Sequence, residues 1–70
     1  MEKIIINPQI RHGKPIIEGT RISVDEVLGA LAGGMTYEEI NAEYGVNQEG
    51  IIAAIKYAAS LISGEEVYPL

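Results

Sequence analysis

From residue 51 onward the chain places isoleucine and alanine at helical spacing. Ile51, Ile52, Ile55, Ala58, Ala59 and Ile62 recur so as to give one continuous apolar face on an α-helix. Asn47, just ahead of them, is a residue type that starts a helix by accepting a backbone N–H with its side chain. The segment before it carries its own start signal: Thr36 followed three residues later by Glu39 is a capping box, so a helix is expected from near Tyr37. Ile40 and Tyr44 then fall one turn apart, and Gly45 stands where a left-handed residue closes a helix without a Cβ penalty. Ser23 and Glu26 form a second capping box, with Val24, Val27, Leu28 and Leu31 at helical spacing behind it and Gly33-Gly34 as a stop. That predicts a helix over 24–32, in which Gly29 costs about 1 kcal/mol against alanine and reports either close packing or simple tolerance. A short capped helix, a glycine turn at 45–46 and an apolar second helix are the outline of a helix-turn-helix.

Ahead of the helices the pattern changes. Ile4-Ile5-Ile6 is a short strand candidate ended by Asn7-Pro8, residues 9–13 read as a loop, and Pro15-Ile16-Ile17-Glu18 is a second strand candidate stopped by Gly19. Thr20-Arg21-Ile22 extends this arm towards the first helix. Two strands alone are marginal in water, so the arm must pack on the helices or on another copy of the chain. The expected fold is mainly α, three helices with a small N-terminal β arm, in one domain over residues 1–70. Residues 1–22 form the arm, 23–63 the helices and 64–70 a tail without periodicity.

Seventy residues bury only a small core, and with no cysteine neither disulfides nor cysteine-ligated zinc can staple it. Self-association is the remaining route to stability, so a homodimer is expected. No signal peptide is visible. The longest apolar-rich stretch, 51–62, is interrupted by Lys56 and Ser60 and falls short of the roughly 20 residues that span a bilayer. A soluble, cytoplasmic chain without a membrane partner is expected. The net charge of −5 is unevenly spread. Residues 1–22 hold Lys3, Arg11, Lys14 and Arg21 against Glu2 and Glu18, a net +2, whereas residues 23–70 set Lys56 against eight carboxylates, a net −7. A phosphate backbone is drawn to the first part and repelled by the second, although acidic helix faces also serve plain solubility.

No catalytic constellation stands out. His12 is the only histidine, it has no second ligand at metal-binding spacing, and a solvated loop histidine is its simplest reading. Asp25-Glu26 and Glu38-Glu39 lie in first helical turns, where carboxylates complement the helix dipole. Gly13 and Gly19 lack the spacing and the Gly-Lys-Ser/Thr of a phosphate loop. Neither an enzyme nor a cofactor or metal site is expected.

If the helix-turn-helix reads DNA, the start of its second helix puts Asn47, Gln48, Glu49, Ala53 and Lys56 forward, with the phosphate grip left to Lys14, Arg21 or Arg11. The competing reading starts from how apolar that helix is on most sides. Only Glu49, Lys56 and Ser60 are reliably polar, and a three-helix domain covers one stripe of each helix, so a further protein surface is implied. Tyr57 and Leu61, off the Ile51/Ile55/Ile62 face, are the residues placed there.

The block Gly13-Lys14-Pro15-Ile16-Ile17-Glu18-Gly19-Thr20-Arg21-Ile22-Ser23-Val24 resembles the signature of the domain-of-unknown-function family 433. So do Leu31-Ala32-Gly33-Gly34-Met35-Thr36-Tyr37-Glu38-Glu39-Ile40 and the closing Ile51-Ile52-Ala53-Ala54-Ile55-Lys56-Tyr57-Ala58-Ala59. The resemblance implies a homeodomain-like helix-turn-helix behind a β arm and a prokaryotic origin. In many members it also implies the antitoxin role of a type II toxin–antitoxin pair whose toxin is a PIN-like ribonuclease.

Joined to the residues, this gives an expected antitoxin that dimerises, neutralises its toxin and binds its own promoter DNA. Its dimer and toxin contacts fall on the strand arm (Ile4, Ile6, Ile16) and the third helix (Tyr57, Leu61). Arg11, Lys14 and Arg21 supply cations for an acidic ribonuclease site, and Glu65, Glu66, Val67 and Tyr68 are an alternative docking segment. The rivals are a free-standing DNA-binding regulator and a dimeric scaffold that binds no DNA.

Overall fold

A computed structural model describes residues 4–63 of the chain. Strand β1 (Ile4–Ile6) is followed by a short turn at Arg11–Gly13, strand β2 (Pro15–Ile17), and helices α1 (Val24–Ala32), α2 (Tyr37–Tyr44) and α3 (Gln48–Ile62). The molecule is thus mainly α with an N-terminal β arm, as the residue pattern predicts.

Each helix begins where its cap dictates. Ser23 Oγ accepts the Glu26 N–H at 3.3 Å while the Ser23 N–H donates to Glu26 Oε1 at 3.2 Å. Thr36 and Glu39 repeat the exchange at 3.1 and 2.9 Å. Two orphan donors are satisfied at each start, which is what a capping box does. Gly45 closes α2 in the left-handed region (φ 71°), and Asn47 Oδ1 accepts the Gly50 N–H at 2.9 Å to open α3. Only three residues, 45–47, separate the two helices.

The strands pair antiparallel in the register Ile4 to Ile17, Ile5 to Ile16 and Ile6 to Pro15. The Ile17 N–H turns the other way and donates to Ile22 O at 3.0 Å, and Ile16 bridges Ser23, so the arm runs directly into the α1 cap. Thr20 fixes the intervening turn by donating its hydroxyl to Ile17 O at 2.8 Å and accepting the Ile22 N–H at 3.0 Å.

The core is Ile17, Val24, Val27, Ile40, Val46, Ile51 and Ala54, with Ile4, Ile22, Leu28, Leu31, Met35, Tyr44 and Tyr57 packed around it. Each fully buried Ile or Val here is worth about 1.5–3 kcal/mol relative to an exposed one. α3 packs tightly at Gly50, where a Cβ would lie 2.9 Å from Cγ1 of Val46 in the preceding connection and 3.3 Å from Cγ2 of Ile17 in the arm.

Several sequence expectations are corrected. The buried face of α3 is Gly50, Ile51 and Ala54, whereas Ile55 and Ile62 are 36% and 64% exposed. Apolar residues occupy so much of this helix that periodicity alone does not select the face that meets α1 and the arm. Ile62 also lies near the end of the longest helix, past its last buried residue. Ile16, expected at a partner interface, is 1% exposed: it sits across from Ile5 and beside Ser23, inside its own chain. Of the two readings of Gly29, tolerance is the one supported: outside its own helix backbone and chain neighbours, nothing lies within 4 Å of where its Cβ would be.

Candidate interaction surface

The arm's cations meet the first turn of α1. Arg11 pairs with Glu26, and Lys14 Nζ donates to Asp25 Oδ2 at 3.1 Å. Both carboxylates lie where the helix dipole favours negative charge, so the pairs fasten the arm to α1 at a point already disposed to hold anions. Ser23, fully buried, hydrogen-bonds the Asp25 carboxylate with its hydroxyl, and this bond, followed by that from Lys14, holds the Asp25 carboxyl below its ordinary value of 3.8. Two of the four cations of the basic patch read from the sequence are therefore paired within the chain. Arg21 is exposed and has no ion pair among the described residues.

The loop that presents Arg11 is unusual. Arg11, His12 and Gly13 are all left-handed, at φ of 54°, 57° and 80°, a conformation that costs a non-glycine residue roughly 1–2 kcal/mol. Hydrogen bonds from the Gly13 N–H to Ile10 O (3.2 Å) and from the Lys14 N–H to Arg11 O (3.1 Å) stabilise it, together with the Arg11–Glu26 pair. His12 is exposed in this turn.

Beside the Lys14–Asp25 pair lies a groove of about 290 Å³ between the arm, α1 and the last turns of α3, lined by Lys14, Pro15, Val24, Leu28, Tyr57 and Leu61 among others. Its walls are apolar except at the Lys14–Asp25 rim. Leu61 is 60% exposed, while Tyr57 is half-buried against the core. Of the residues expected at an interface, Lys14, Tyr57 and Leu61 come together here. Ile4 is half-buried against the core and Ile6 is 62% exposed on the arm. Pro15, Val24 and Leu28 were not foreseen in this role, because in sequence they look like ordinary core positions.

The residues expected to face DNA are differently placed. Asn47, Gln48, Glu49 and Lys56 are exposed and Ala53 is half-buried, with the Asn47 Oδ1 occupied by the α3 cap. Glu65, Glu66, Val67 and Tyr68 lie outside the described residues. Among the described residues no cluster of three or more His, Cys, Asp or Glu is placed to hold a metal ion, and no helix is long and apolar enough to cross a membrane.

The chain is 28% identical over 57 residues to a Mycobacterium tuberculosis protein named "putative antitoxin VapB45", an alignment covering 81% of this chain and 24% of that protein. It thus spans about a quarter of that relative's length. No solved structure matches. A family model matches residues 4–58, from β1 through most of α3, including the groove residues other than Leu61; the chain belongs to the family described as "Protein of unknown function (DUF433)".

Proposed function

We propose that the chain is an antitoxin that binds a ribonuclease toxin of the PIN-like class through the face formed by the arm, α1 and the end of α3. The likeness to a protein named as an antitoxin supports the class of function. The observation that carries the surface is the groove itself: an apolar trough with Leu61 largely exposed at one end and a lysine at its rim. An apolar side chain of the toxin fills the trough and gains roughly 25 cal/mol per Å² removed from water. A toxin carboxylate replaces Asp25 on Lys14 and another meets Arg21, since a site rich in metal-binding carboxylates is strongly anionic and charge-assisted bonds are the stronger kind. The replaceable partner keeps Lys14 from being left unpaired in the free protein.

The test is co-expression with the protein encoded by the adjacent gene, followed by titration calorimetry with wild type, Leu61→Glu and Arg21→Glu. Leu61→Glu is expected to weaken binding at least about tenfold, and Arg21→Glu by several-fold with reduced salt dependence. Wild-type affinity in both variants refutes the surface, and no complex with wild type refutes the function.

A second reading, promoter binding, is favoured by the three-residue connection that leaves Gln48, Glu49 and Lys56 exposed at the start and middle of α3. Titration of upstream DNA at two salt concentrations tests it, because phosphate contacts give a steep salt slope.

A further inference from the structure

α3 has a second apolar face that the described residues leave largely uncovered. The face turned to the core and groove is Gly50, Ile51, Ala54, Tyr57 and Leu61. At 100° per residue, Gln48, Ile52, Ile55, Ala59 and Ile62 lie on a separate stripe rotated by roughly 120°. All are exposed except Ile52, which is half-buried. Their spacing of four, three, four and three matches the seam along which two helices pack knobs into holes. Glu49 and Lys56, both exposed, flank this seam on one side at equivalent heptad positions seven residues apart.

We infer that this face binds a second copy of the chain, α3 against α3 antiparallel, with the two-fold axis passing between Ile52 and Ile55. Charge complementarity selects that partner and orientation. About this axis Ile52 layers against Ile55 of the other copy, and Glu49 lies beside Lys56 of the other copy twice over, once on each side of the axis. A parallel pair does not bring these two positions together. Ala59 leaves the ends of the helices room to approach. The contact is isologous and closes at two copies. It does not depend on the antitoxin reading, because none of Gln48, Ile52, Ile55, Ala59 and Ile62 lines the groove.

Sedimentation equilibrium on the chain alone tests the inference. Wild type is expected to be a dimer and Ile55→Glu a monomer with unchanged helical circular dichroism, since Ile55 lies outside the core. Glu49→Lys sets lysine against lysine at both contacts and is expected to weaken the dimer roughly tenfold, and Glu49→Lys with Lys56→Glu to restore it. A monomeric wild type overturns the inference. So does an Ile55→Glu dimer as tight as wild type, or a double charge swap no tighter than the single one. If the chain is monomeric and shifts DNA with a steep salt slope that Lys56→Glu flattens, the face is a nucleic-acid surface instead.

Discussion

Alanine substitution at two helical glycines should give opposite signs, and the contrast measures how tightly α3 is held on the arm. At Gly29 an added Cβ meets nothing within 4 Å, so the gain in helix propensity is realised in full, about 1 kcal/mol. For a domain of this size that raises Tm by roughly 4–8 °C. At Gly50 the same propensity gain is available, but the Cβ lies 2.9 Å from Val46 Cγ1 and 3.3 Å from Ile17 Cγ2. Both neighbours are 1% exposed and branched at Cβ, so neither can swing aside without disturbing the core. Overpacking of this kind costs about 1–3 kcal/mol, which exceeds the propensity gain over most of that range. Gly50→Ala should therefore lower stability by up to about 2 kcal/mol, a large share of a total of roughly 4–10 kcal/mol. Urea unfolding followed by circular dichroism reads both variants. Equal stabilisation by the two substitutions would mean that α3 does not seat on β2 as described, and the groove between arm and helices would go with it.

Gly45→Ala forces a side chain into the left-handed region at φ 71° and should cost about 1 kcal/mol in the same unfolding assay, whereas Gly45→Asn should cost less. Ser23→Ala removes the cap and the buried hydroxyl on Asp25, with an expected loss of about 1–2 kcal/mol. The Asp25 carboxyl is lowered by the Ser23 hydroxyl first and Lys14 second, so its ionised form contributes stability above the ordinary value of 3.8. That contribution is lost as pH falls below 3.8 through the lower folded value. The urea midpoints of wild type and Asp25→Asn should differ at neutral pH and converge in acid; a constant gap would remove the pair from the account.

The helices were legible because their signals are local. Ser23 with Glu26, Thr36 with Glu39, Gly45 and Asn47 each act on backbone groups within four residues, and all four operate as the sequence suggests. Two features were hidden because they depend on contacts between distant parts of the chain, and a third because no local residue type marks it. Whether Ile51 or Ile55 faces inward is decided by where the arm and α1 lie, and an isoleucine-rich helix carries no mark of it. The pairing of Arg11 and Lys14 with Glu26 and Asp25 joins residues 11–15 positions apart, so the cations looked free in sequence. The left-handed turn at Arg11 and His12 has no glycine or asparagine at those two positions to announce it. The groove was half-visible, through Lys14, Tyr57 and Leu61, while Pro15, Val24 and Leu28 passed as core.

The central claim is that the arm, α1 and the end of α3 together seat the toxin. Hydrogen exchange of the chain alone and in complex with the protein encoded by the adjacent gene tests this most directly. The account predicts new protection at residues 14–17, 24–28 and 57–61, with little change across α2. Protection confined to α2 and the first turn of α3, with the groove segments unchanged, would contradict it.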